Sequence, residues 1–437
     1  MTIIVHKGTN EIGGSCIEIS SDNTTILLDY GTPLDEHSKV IRFDKKIDAI
    51  LISHPHQDHF GEIVNIDAVI PVYCGRLAVW LMDSAMIFTS KKPLKNNFCH
   101  FEAWKSFFVG DFKITPYLVD HSAIDAYAFL IENGNKRVFY SGDFRNNGRK
   151  AKLFDLIIKD KRLKNVDVLL MEGTMMERSN LEFPDEQSVE EKIFETFKLN
   201  NFLSFYIGSS QNIDSIVSAY KACKKAGKIF VVDMYTAWIL EIVGKWAKTP
   251  TIEWAGVKVI KDLSGNYYEK IKSNTGYFKD FAAKVFKNIV TAEDIAAEPE
   301  KYLIKISPTL VQRLLDKMSL KNANIIYSQW LGYLSNEFSD TKTVEILSGL
   351  KTKYNWIYAH TSGHADLEAL KTFSSSLKPK KLIPIHTKNK NEFEKHFNNV
   401  LILEDGEPYI VDTGLSSEDV TELNTAFETH KGEKWNF

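Results

Sequence analysis

The sequence has few of the features that mark secreted or membrane-embedded proteins. Its 437 residues include only four cysteines, Cys16, Cys74, Cys99 and Cys223, and no two of them have metal-ligand spacing. No apolar run approaches the length of a membrane span, and the first residues, MTIIVHKGTNEIGG, lack the basic and apolar segments of a signal peptide. We therefore expect a cytoplasmic protein with reduced thiols and no membrane partner.

The chain also lacks an excess of charge of either sign. Lys and Arg total 54 against 57 for Asp and Glu, so the formal net charge is -3. This balance excludes a uniformly basic nucleic-acid coat and an acidic disordered tail, but it is compatible with a local basic groove. The composition, 44% hydrophobic and 25% charged, is that of a globular protein. The length predicts two domains, or one domain with a large insertion.

Internal repeats are absent, but the pattern of the chain changes twice along its length. The first third consists of short apolar or alternating runs separated by Gly, Asn, Asp and Pro, which predicts a sheet-on-sheet core with few helices. The central part alternates helical periodicity with apolar strands, which predicts a parallel α/β unit. Strands return in the last part, followed by a helix predicted near residues 417–428. The two outer parts are expected to form one domain that the central block interrupts.

The segment DAILISHPHQDHFG carries the most informative pattern in the chain. The apolar strand in its first half ends at Ser53, and the next six residues include His54, His56, Asp58 and His59. Alternation places His54, His56 and Asp58 on one side of an extended segment. His59 turns away from them, so the four donors can be divided between two neighbouring metal ions. Imidazole and carboxylate suit Zn²⁺ or Mn²⁺, and the absence of cysteine donors argues against a purely structural zinc site.

Further metal-type residues stand at the ends of other predicted strands. His121 closes FKITPYLVDHS, Asp143 follows RVFYSG, and His386 ends KLIPIH, while His360 and His364 stand in IYAHTSGHAD. A single such histidine is more often a core residue with its hydrogen bonds satisfied than a metal ligand. The shared position at strand ends favours one site along the edge of a sheet.

These motifs together resemble the metallo-β-lactamase fold, whose HxHxDH signature reads HPHQDH in this sequence. The resemblance continues in order with Asp29 in ILLDYG, His121, Asp143 and His386 as the last ligand. The interruption after MEGT and the motif SGHAD resemble the β-CASP branch, which holds nucleases acting on RNA or DNA, and within it ribonuclease J. The implied fold is of the α/β class, a metallo-β-lactamase αββα sandwich with an inserted β-CASP α/β subdomain. The implied parts are residues 1–180 and 351–437 for the sandwich and 181–350 for the insert.

The resemblance also implies two divalent metal ions, with Zn²⁺ expected first and Mn²⁺ as the other candidate. One ion would be bound by His54, His56 and His121, the other by Asp58, His59 and His386, and Asp143 would bridge the two. A hydroxide held between the ions would attack the phosphodiester, since two cations lower the pKa of water and clamp a phosphate. By the same likeness Asp58 counts among the catalytic residues as well as the ligands.

Proton transfer and support of the ligands are implied for three further residues. His364 matches the position that protonates the leaving 3′ oxygen, and Glu172 matches the acid that orients it. This pairing makes chemical sense because imidazole titrates near neutrality and a carboxylate fixes its tautomer. Asp29 would support a ligand through a hydrogen bond.

Two loops are candidates for binding the phosphates of the substrate. Ser362 and Gly363 lie beside His364 in a loop expected to offer backbone N–H groups. Ser209 and Ser210 stand at a strand–helix junction, where a helix N-terminus favours an anion. The alternative for this junction is that Ser210 or Asn212 simply caps the helix that follows, and it is favoured for each serine taken alone.

The expected function is therefore a two-metal phosphodiester hydrolase acting on RNA or single-stranded nucleic acid. Two departures from ribonuclease J keep alternatives open: Thr387-Lys388 follow His386 in place of Gly-Glu, and GSSQNIDSI lacks the usual His-Arg pair. A hydrolase of a small ester, thioester, lactone or phosphodiester without nucleic-acid specificity is the main alternative, and a non-catalytic binding module is the third. The resemblance also implies a homodimer as one state of assembly.

Overall fold

Three β-sheets organise the chain in the computed structural model, which describes residues 1–34, 41–89, 91, 93–261, 266–273 and 275–411. The helix predicted near residues 417–428 lies outside the described residues. The first sheet has seven strands among those described, and it mixes antiparallel and parallel pairs. In spatial order its strands are Pro408–Ile410, Thr2–Lys7, Cys16–Ser20, Thr25–Leu28, Ala49–Leu51, Pro71–Cys74 and Asn97–His100.

The second sheet packs against the first and has six described strands. In spatial order these are Lys381–Ile385, Val168–Glu172, Lys136–Tyr140, Tyr127–Asn133, Phe112–Leu118 and Phe107–Val109. The strand Lys381–Ile385 comes from the last part of the chain and pairs in parallel with Val168–Glu172. Since Pro408–Ile410 likewise pairs with Thr2–Lys7, both sheets combine strands from the two ends of the sequence.

The third sheet is built from the central block and is parallel throughout the described pairs. Its seven strands are, in spatial order, Ile289–Val290, Val257–Ile260, Ile229–Val232, Tyr302–Lys305, Ser204–Gly208, Asn324–Ser328 and Asn355–Tyr358. Core clusters lie on both of its faces, which explains why its strands read as continuous apolar runs. The strand Asn355–Tyr358 begins after residue 350, so this sheet extends past the end expected for the insert.

Helices cover the outer faces of the sheets. Those of the first part are Gln57–Phe60, Arg76–Phe88 and Lys152–Lys159; those of the central block are Glu186–Leu199, Ile213–Lys225, Met234–Gly244, Asn266–Ser273, Thr275–Lys287, Ala292–Ala297, Pro308–Met318 and Thr341–Lys353; Leu367–Leu377 and Phe393–His396 follow. Short 3-10 turns occupy Ile63–Asn65, Lys161–Leu163, Pro299–Lys301, Leu331–Leu334 and Lys390–Glu392. Among the described helices, none is long and apolar enough to cross a membrane.

The sequence places most of these helix starts through local capping. Asp185 accepts a hydrogen bond from the backbone N–H of Ser188, and the Ser188 hydroxyl makes the return bond of a capping box. Asn212 and Asp233 cap the next two helices by accepting from the backbone N–H groups of Ser215 and Thr236. Pro308 occupies the first turn of its helix, where its missing N–H costs nothing.

Four layers result for the part of the molecule that holds the candidate site. The inner faces of the first and second sheets share one apolar core, to which Ile3 and Val5 contribute from one sheet and Phe129 and Val138 from the other. The helix Arg76–Phe88 packs outside the first sheet. The helices Lys152–Lys159 and Leu367–Leu377 pack outside the second. This confirms the predicted αββα sandwich with an additional α/β unit.

Candidate metal centre

The histidine-rich segment follows the buried strand Ala49–Leu51 at its carboxyl end. His54 is fully buried there, the chain bends at residues 54 and 55, and His56 again has an extended backbone conformation. A helical turn, Gln57–Phe60, then carries Asp58 and His59 as neighbours. The prediction that Asp58 continues the extended segment was therefore wrong, because the helical turn already begins at Gln57. The helical turn still brings Asp58 Oδ2 to 3.7 Å from His59 Nε2.

Other strands of the two sheets end at the same place. Donor atoms of each of the following groups lie within 4.8 Å of one another: His54, His56 and His121; His54, His59 and Asp143; Asp58, His59 and His386; Asp143, Glu172, His364 and His386. The structure thus brings together all seven residues expected as ligands and the expected proton-transfer pair. We refer to the seven expected ligands as the metal cluster.

Asp143 lies at the centre of the metal cluster. Its Oδ2 is 3.2 Å from His59 Nε2 and 3.7 Å from His54 Nε2, while its Oδ1 is 3.8 Å from His386 Nδ1. Asp58 approaches from the other side, with its Oδ2 3.4 Å from His386 Nε2. A carboxylate with histidines from both groups around it has the placement of a bridging ligand.

Electrostatics divide the histidines of the cluster. At His59, Asp143, Asp58 and Asp29 outweigh burial and raise the pKa well above the usual value, whereas three other ligands shift in the opposite direction. Burial lowers the pKa of His56 to about 4, and burial with neighbouring histidines lowers the pKa of His54 and of His121 well below the usual value. Burial alone would raise the pKa of Asp143, but His386 and His59 outweigh it and hold that pKa well below the usual value. Imidazole lone pairs facing carboxylates are the donor set that divalent transition metals prefer.

Hydrogen bonds behind the cluster fix which ring nitrogen of three histidines faces it. Asp29 Oδ2 lies 2.7 Å from His59 Nδ1 and also accepts a bond from the Tyr140 hydroxyl. The Nδ1 of His121 donates to the carbonyl of Gly363 at 2.6 Å. The Ser53 hydroxyl lies 3.0 Å from Nδ1 of His54. Each contact engages Nδ1 and leaves Nε2 for the cluster, which is how ligating histidines are oriented.

The backbone at this edge of the sheets is itself unusual. Asp29 and His386 both have left-handed backbone conformations, with φ of 59° and 49°. Non-glycine residues adopt such conformations at a cost of about 1 to 3 kcal/mol each, and the surrounding structure must hold them there. The conformation directs both side chains toward the cluster from strand ends.

One buried atom supports the fit of this site to a metal ion. His59 Nε2 is buried, and among the described residues it has no hydrogen-bond partner, because Asp143 is close but lies outside hydrogen-bonding geometry. A buried ring nitrogen without a partner costs about 1 to 3 kcal/mol unless a ligand satisfies it. A cation at this position satisfies the nitrogen and neutralises the carboxylates, so the residues present fit divalent metal binding.

His364 and Glu172 form a pair at the edge of the cluster. His364 Nδ1 lies 3.0 Å from Glu172 Oε2 and 3.7 Å from Asp143 Oδ2. Burial opposes a charge on the His364 ring, but Glu172 and Asp143 outweigh it and raise the pKa of His364. Glu172 is fixed in turn by the backbone N–H groups of Phe144 and Thr174. The pKa of His364 is thus shifted in the opposite direction to those of His54, His56 and His121.

The four residues expected to bind phosphate differ in whether they contact the metal cluster. Ser362 and Gly363 lie against the cluster. The Gly363 carbonyl accepts a hydrogen bond from His121, and the Ser362 hydroxyl accepts one from the N–H of His364. Ser209 accepts from the N–H of Gln211, and Ser210 bonds Thr236 and Lys305. Among the described contacts, neither junction serine reaches the cluster.

Asn212 is the cap of the helix after this junction, as the alternative interpretation predicted. Its backbone also forms an isolated antiparallel bridge with Ala123, just after His121. The junction therefore supports the loop that carries His121.

Sequence reasoning missed several residues that support the site. Thr174 places its hydroxyl 2.8 Å from His386 Nδ1, and the buried Arg145 donates to the carbonyl of Ser362 at 3.0 Å. Both stand next to residues that the motifs singled out, Thr174 two positions after Glu172 and Arg145 two after Asp143. That adjacency is the only signal for them in the sequence, because their partners come from distant segments.

Comparisons with known families agree with this geometry. Residues 24–196 match a family profile described as "Beta-lactamase superfamily domain", and residues 353–401 match one described as "Zn-dependent metallo-hydrolase RNA specificity domain". In a solved structure from Enterococcus faecalis, a protein of unknown function, 99% of the chain superposes on 93% of this one with a TM-score of 0.73 at 20% identity. That likeness concerns the fold. The chain thus has the metallo-β-lactamase fold of the β-CASP branch.

Curated relatives narrow this class further. The chain is 26% identical to an RNase J-like protein of Methanocaldococcus jannaschii over 53% of its own length and 57% of the relative's. It is 22% identical to ribonuclease J of Helicobacter pylori over 92% of its own length and 59% of the relative's. These matches confirm the predicted resemblance, and the chain is ribonuclease J-like. It spans less than two thirds of the length of these relatives.

Proposed function

We propose that this chain is a metal-dependent phosphodiesterase that cleaves RNA or single-stranded nucleic acid. The observation that carries the proposal is the convergence of a complete imidazole–carboxylate cluster with the His364–Glu172 pair on one of its carboxylates, Asp143. The match of residues 353–401 to a profile described by RNA specificity supports RNA as the first substrate to test. We propose residues 1–180 and 351–437 as the catalytic unit and 181–350 as the insert.

The ligands divide into two groups in this proposal. His54, His56 and His121 would hold one divalent ion, and Asp58, His59 and His386 the other, with Asp143 shared; we propose Zn²⁺ for both and Mn²⁺ as the substitute. When bound, two such ions lower the pKa of water, clamp a phosphate and stabilise charge on the attacking and leaving oxygens. Asp29 keeps His59 in the tautomer that ligation requires.

His364 supplies the proton in this proposal. Glu172 accepts from the Nδ1–H of His364, so Nε2 is the ring atom that delivers a proton to the leaving oxygen. Glu172 is a positioning residue, since its contacts are to His364 and to two backbone N–H groups. Proton donation of this kind contributes about 10²- to 10⁴-fold to a rate.

The test is cleavage of end-labelled RNA and DNA with different 5′ groups, each in the presence of Zn²⁺ or Mn²⁺. We expect the wild type to shorten RNA and His364→Ala to lower kcat by about 10²- to 10⁴-fold with unchanged metal content. His396→Ala is the matched control, because His396 is an exposed histidine at the end of the helix Phe393–His396. A wild type that is inert on both nucleic acids but hydrolyses a small ester or thioester would replace this proposal with the small-molecule alternative.

A further inference from the structure

A segment rich in aromatic residues follows the strand Asn324–Ser328, which lies next to the edge strand Asn355–Tyr358 of the third sheet. We define it as the aromatic segment, residues 329–338. Within it the Trp330 ring packs edge-on against Tyr333, with centroids 5.5 Å apart, and against Phe338 at 4.7 Å. Tyr333 nevertheless remains 37% exposed. Trp330 therefore holds the segment together, and Tyr333 is the aromatic side chain that it presents to solvent.

Arg178 connects this segment to the metal cluster on one side of His386. Its guanidinium carbon lies 4.9 Å from the centroid of the Trp330 ring, and its Nη2 donates to the carbonyl of Thr174. The Thr174 hydroxyl in turn contacts His386 Nδ1 at 2.8 Å. The aromatic segment is thus only two residues removed from a ligand of the cluster.

Lys388 makes a second connection on the other side of His386. It stands two residues after that histidine, with its Nζ 4.7 Å from the centroid of the Phe338 ring. The same Nζ lies 3.1 Å from a carboxylate oxygen of Glu337. Since both anchors hold the segment against the loop of His386, the position of Tyr333 relative to the cluster is fixed.

Tyr333 lies within electrostatic range of Asp58, a residue of the metal cluster. The side chain is accessible to solvent, yet the surrounding protein, together with the Asp58 carboxylate, raises the pKa of its hydroxyl. The ring therefore packs against Trp330 beside the cluster and can still be reached from solvent. An aromatic ring so placed can stack on any nucleobase, because every base has a π-face.

Arg178 adds a positive charge near Tyr333, and no described carboxylate forms an ion pair with it. Its polar contact is to a backbone carbonyl. Burial lowers the pKa of Arg178, against which the charge of Glu172 acts. A half-buried guanidinium with donors to spare matches the geometry of a phosphate group.

We propose that Tyr333 and Arg178 form a nucleotide subsite beside the metal cluster, in which the Tyr333 ring stacks on a base of the strand and Arg178 pairs with a phosphate. This inference rests on the proposed function and deepens it by stating where the strand lies. Stacking of one base on one aromatic ring changes affinity by about 5- to 150-fold. Specificity for base identity is not expected, since stacking makes no hydrogen bonds to base edges.

The experiment measures KM and kcat for cleavage of a short single-stranded RNA and of a series in which one abasic nucleotide replaces each position in turn. In the wild type one abasic position should raise KM by about 5- to 150-fold. Tyr333→Ala should raise KM for the intact RNA by the same factor and remove the extra effect of that abasic position, because the two changes delete one contact. Tyr333→Phe keeps the ring and should retain the wild-type KM.

Arg178→Met gives an independent readout. Loss of one phosphate contact should reduce the slope of log KM against log salt concentration by about 1, which a merely structural change would not do. Phe108→Ala is the matched aromatic control: Phe108 is 68% exposed and lies on the strand Phe107–Val109, at the edge of the second sheet opposite the strand that precedes His386.

The outcomes separate this inference from the proposed function. If the wild type cleaves RNA and Tyr333→Ala has the same KM as Phe108→Ala, the subsite is refuted and the nuclease stands. If Tyr333→Phe raises KM as much as Tyr333→Ala does, the hydroxyl and not the ring acts, and stacking is refuted. If the wild type neither binds nor cleaves RNA but hydrolyses bis-p-nitrophenyl phosphate, both the function and the subsite are overturned.

Discussion

Two buried clusters of charge lie side by side in this molecule, and they are satisfied in opposite ways. In the metal cluster, the pKa of Asp143 is held low, and this carboxylate faces His54, whose pKa burial lowers, and His59, whose pKa the neighbouring carboxylates raise. In the second, which we name the arginine cluster, the chain supplies the cation itself: Arg145 is fully buried among Asp120, Glu186 and Asp214. Its guanidinium reaches Asp214 at 2.6 Å and Glu186 at 3.3 Å.

The arginine cluster joins parts of the fold that the metal cluster does not. Arg145 and Asp120 come from the sandwich, whereas Glu186 and Asp214 start helices of the central block. In the arginine cluster a guanidinium of the chain supplies the positive charge, although Asp120 Oδ1 and Arg145 Nε lack hydrogen-bond partners among the described residues, so we interpret this cluster as a structural connection. In the metal cluster the described partners of Asp58 and Asp143 are histidines and include no Lys or Arg, so this cluster fits a foreign cation. A cluster whose positive charge comes from its own side chains is thus a structural support, whereas a cluster whose positive charge must come from a bound ion is a binding site.

Removal of Asp143 should produce the largest effect, because it takes away the carboxylate shared by both groups of ligands. We expect Asp143→Ala to lose at least about 10²- to 10³-fold in RNA cleavage, the scale for one electrostatic stabiliser, and to bind less metal. Elemental analysis and cleavage kinetics measure the two effects.

Asp167→Ala is the control for this change. Asp167 is also buried, but it accepts from the N–H of Arg137 and from Lys380, next to the opposite end of the strand Val168–Glu172. We expect it to keep its full metal content. Full metal content in Asp143→Ala as well would show that the shared carboxylate does not hold the ions, and the comparison of the two clusters would fail.

Removal of Arg145 should instead reduce stability. Arg145→Met takes the guanidinium away from three buried carboxylates, of which Asp120 retains Lys150 at 3.7 Å. Breaking a buried ion pair in this way costs about 3 to 5 kcal/mol of unfolding free energy. Arg162→Met is the matched control, because Arg162 pairs with Asp160 at the surface, where an ion pair contributes about 0 to 1 kcal/mol. Urea unfolding compares the two, and equal losses would show that the arginine cluster is not a support.

The two clusters also differ in how far the sequence revealed them. The metal cluster could be predicted because six consecutive residues supply four donors, and because His121, Asp143 and His386 each follow an apolar strand. The arginine cluster could not, because Asp120, Arg145, Glu186 and Asp214 share no spacing and meet only through tertiary packing. Asp214 is instructive, because the sequence showed only that Ile213 and Asp214 stand in GSSQNIDSI where ribonuclease J usually has a His-Arg pair.

The same contrast applies to the fold. Periodicity predicted the parallel central sheet, but not that Asn355–Tyr358 would be its edge strand, since four residues of alternating burial fit either sheet. The helical turn at Gln57–Phe60 was missed for a related reason. Within six residues, the same spacing of histidine and aspartate is compatible with an extended segment and with one helical turn. The pattern could therefore not decide between the two conformations.

Removal of the metal should lower the free energy of unfolding through the metal cluster and leave the contribution of the arginine cluster unchanged. A metal present at 100 to 1,000 times its dissociation constant stabilises the folded state by about 2.7 to 4.1 kcal/mol. We therefore expect urea unfolding of the wild type to shift on treatment with a chelator, and Asp143→Ala to shift less. Arg162→Met, which alters neither cluster, should shift as the wild type does. Identical unfolding of the wild type with and without metal would contradict cation binding by the cluster.

The smallest effect is expected at Thr174, which touches the metal cluster without belonging to it. Its hydroxyl holds the Nδ1 of His386 at 2.8 Å, while the Gly13 N–H donates to Nε2 at 3.1 Å. Thr174→Val should therefore loosen the ring and lower metal affinity by about 10- to 100-fold. Thr115→Val is the control, since Thr115 is an equally buried threonine whose hydroxyl bonds Ser106 instead. Competition with a chromogenic chelator measures the affinity. Equal affinities in the two variants would mean that the left-handed backbone at His386 suffices to orient the ring, and the support of the cluster would then lie in the main chain.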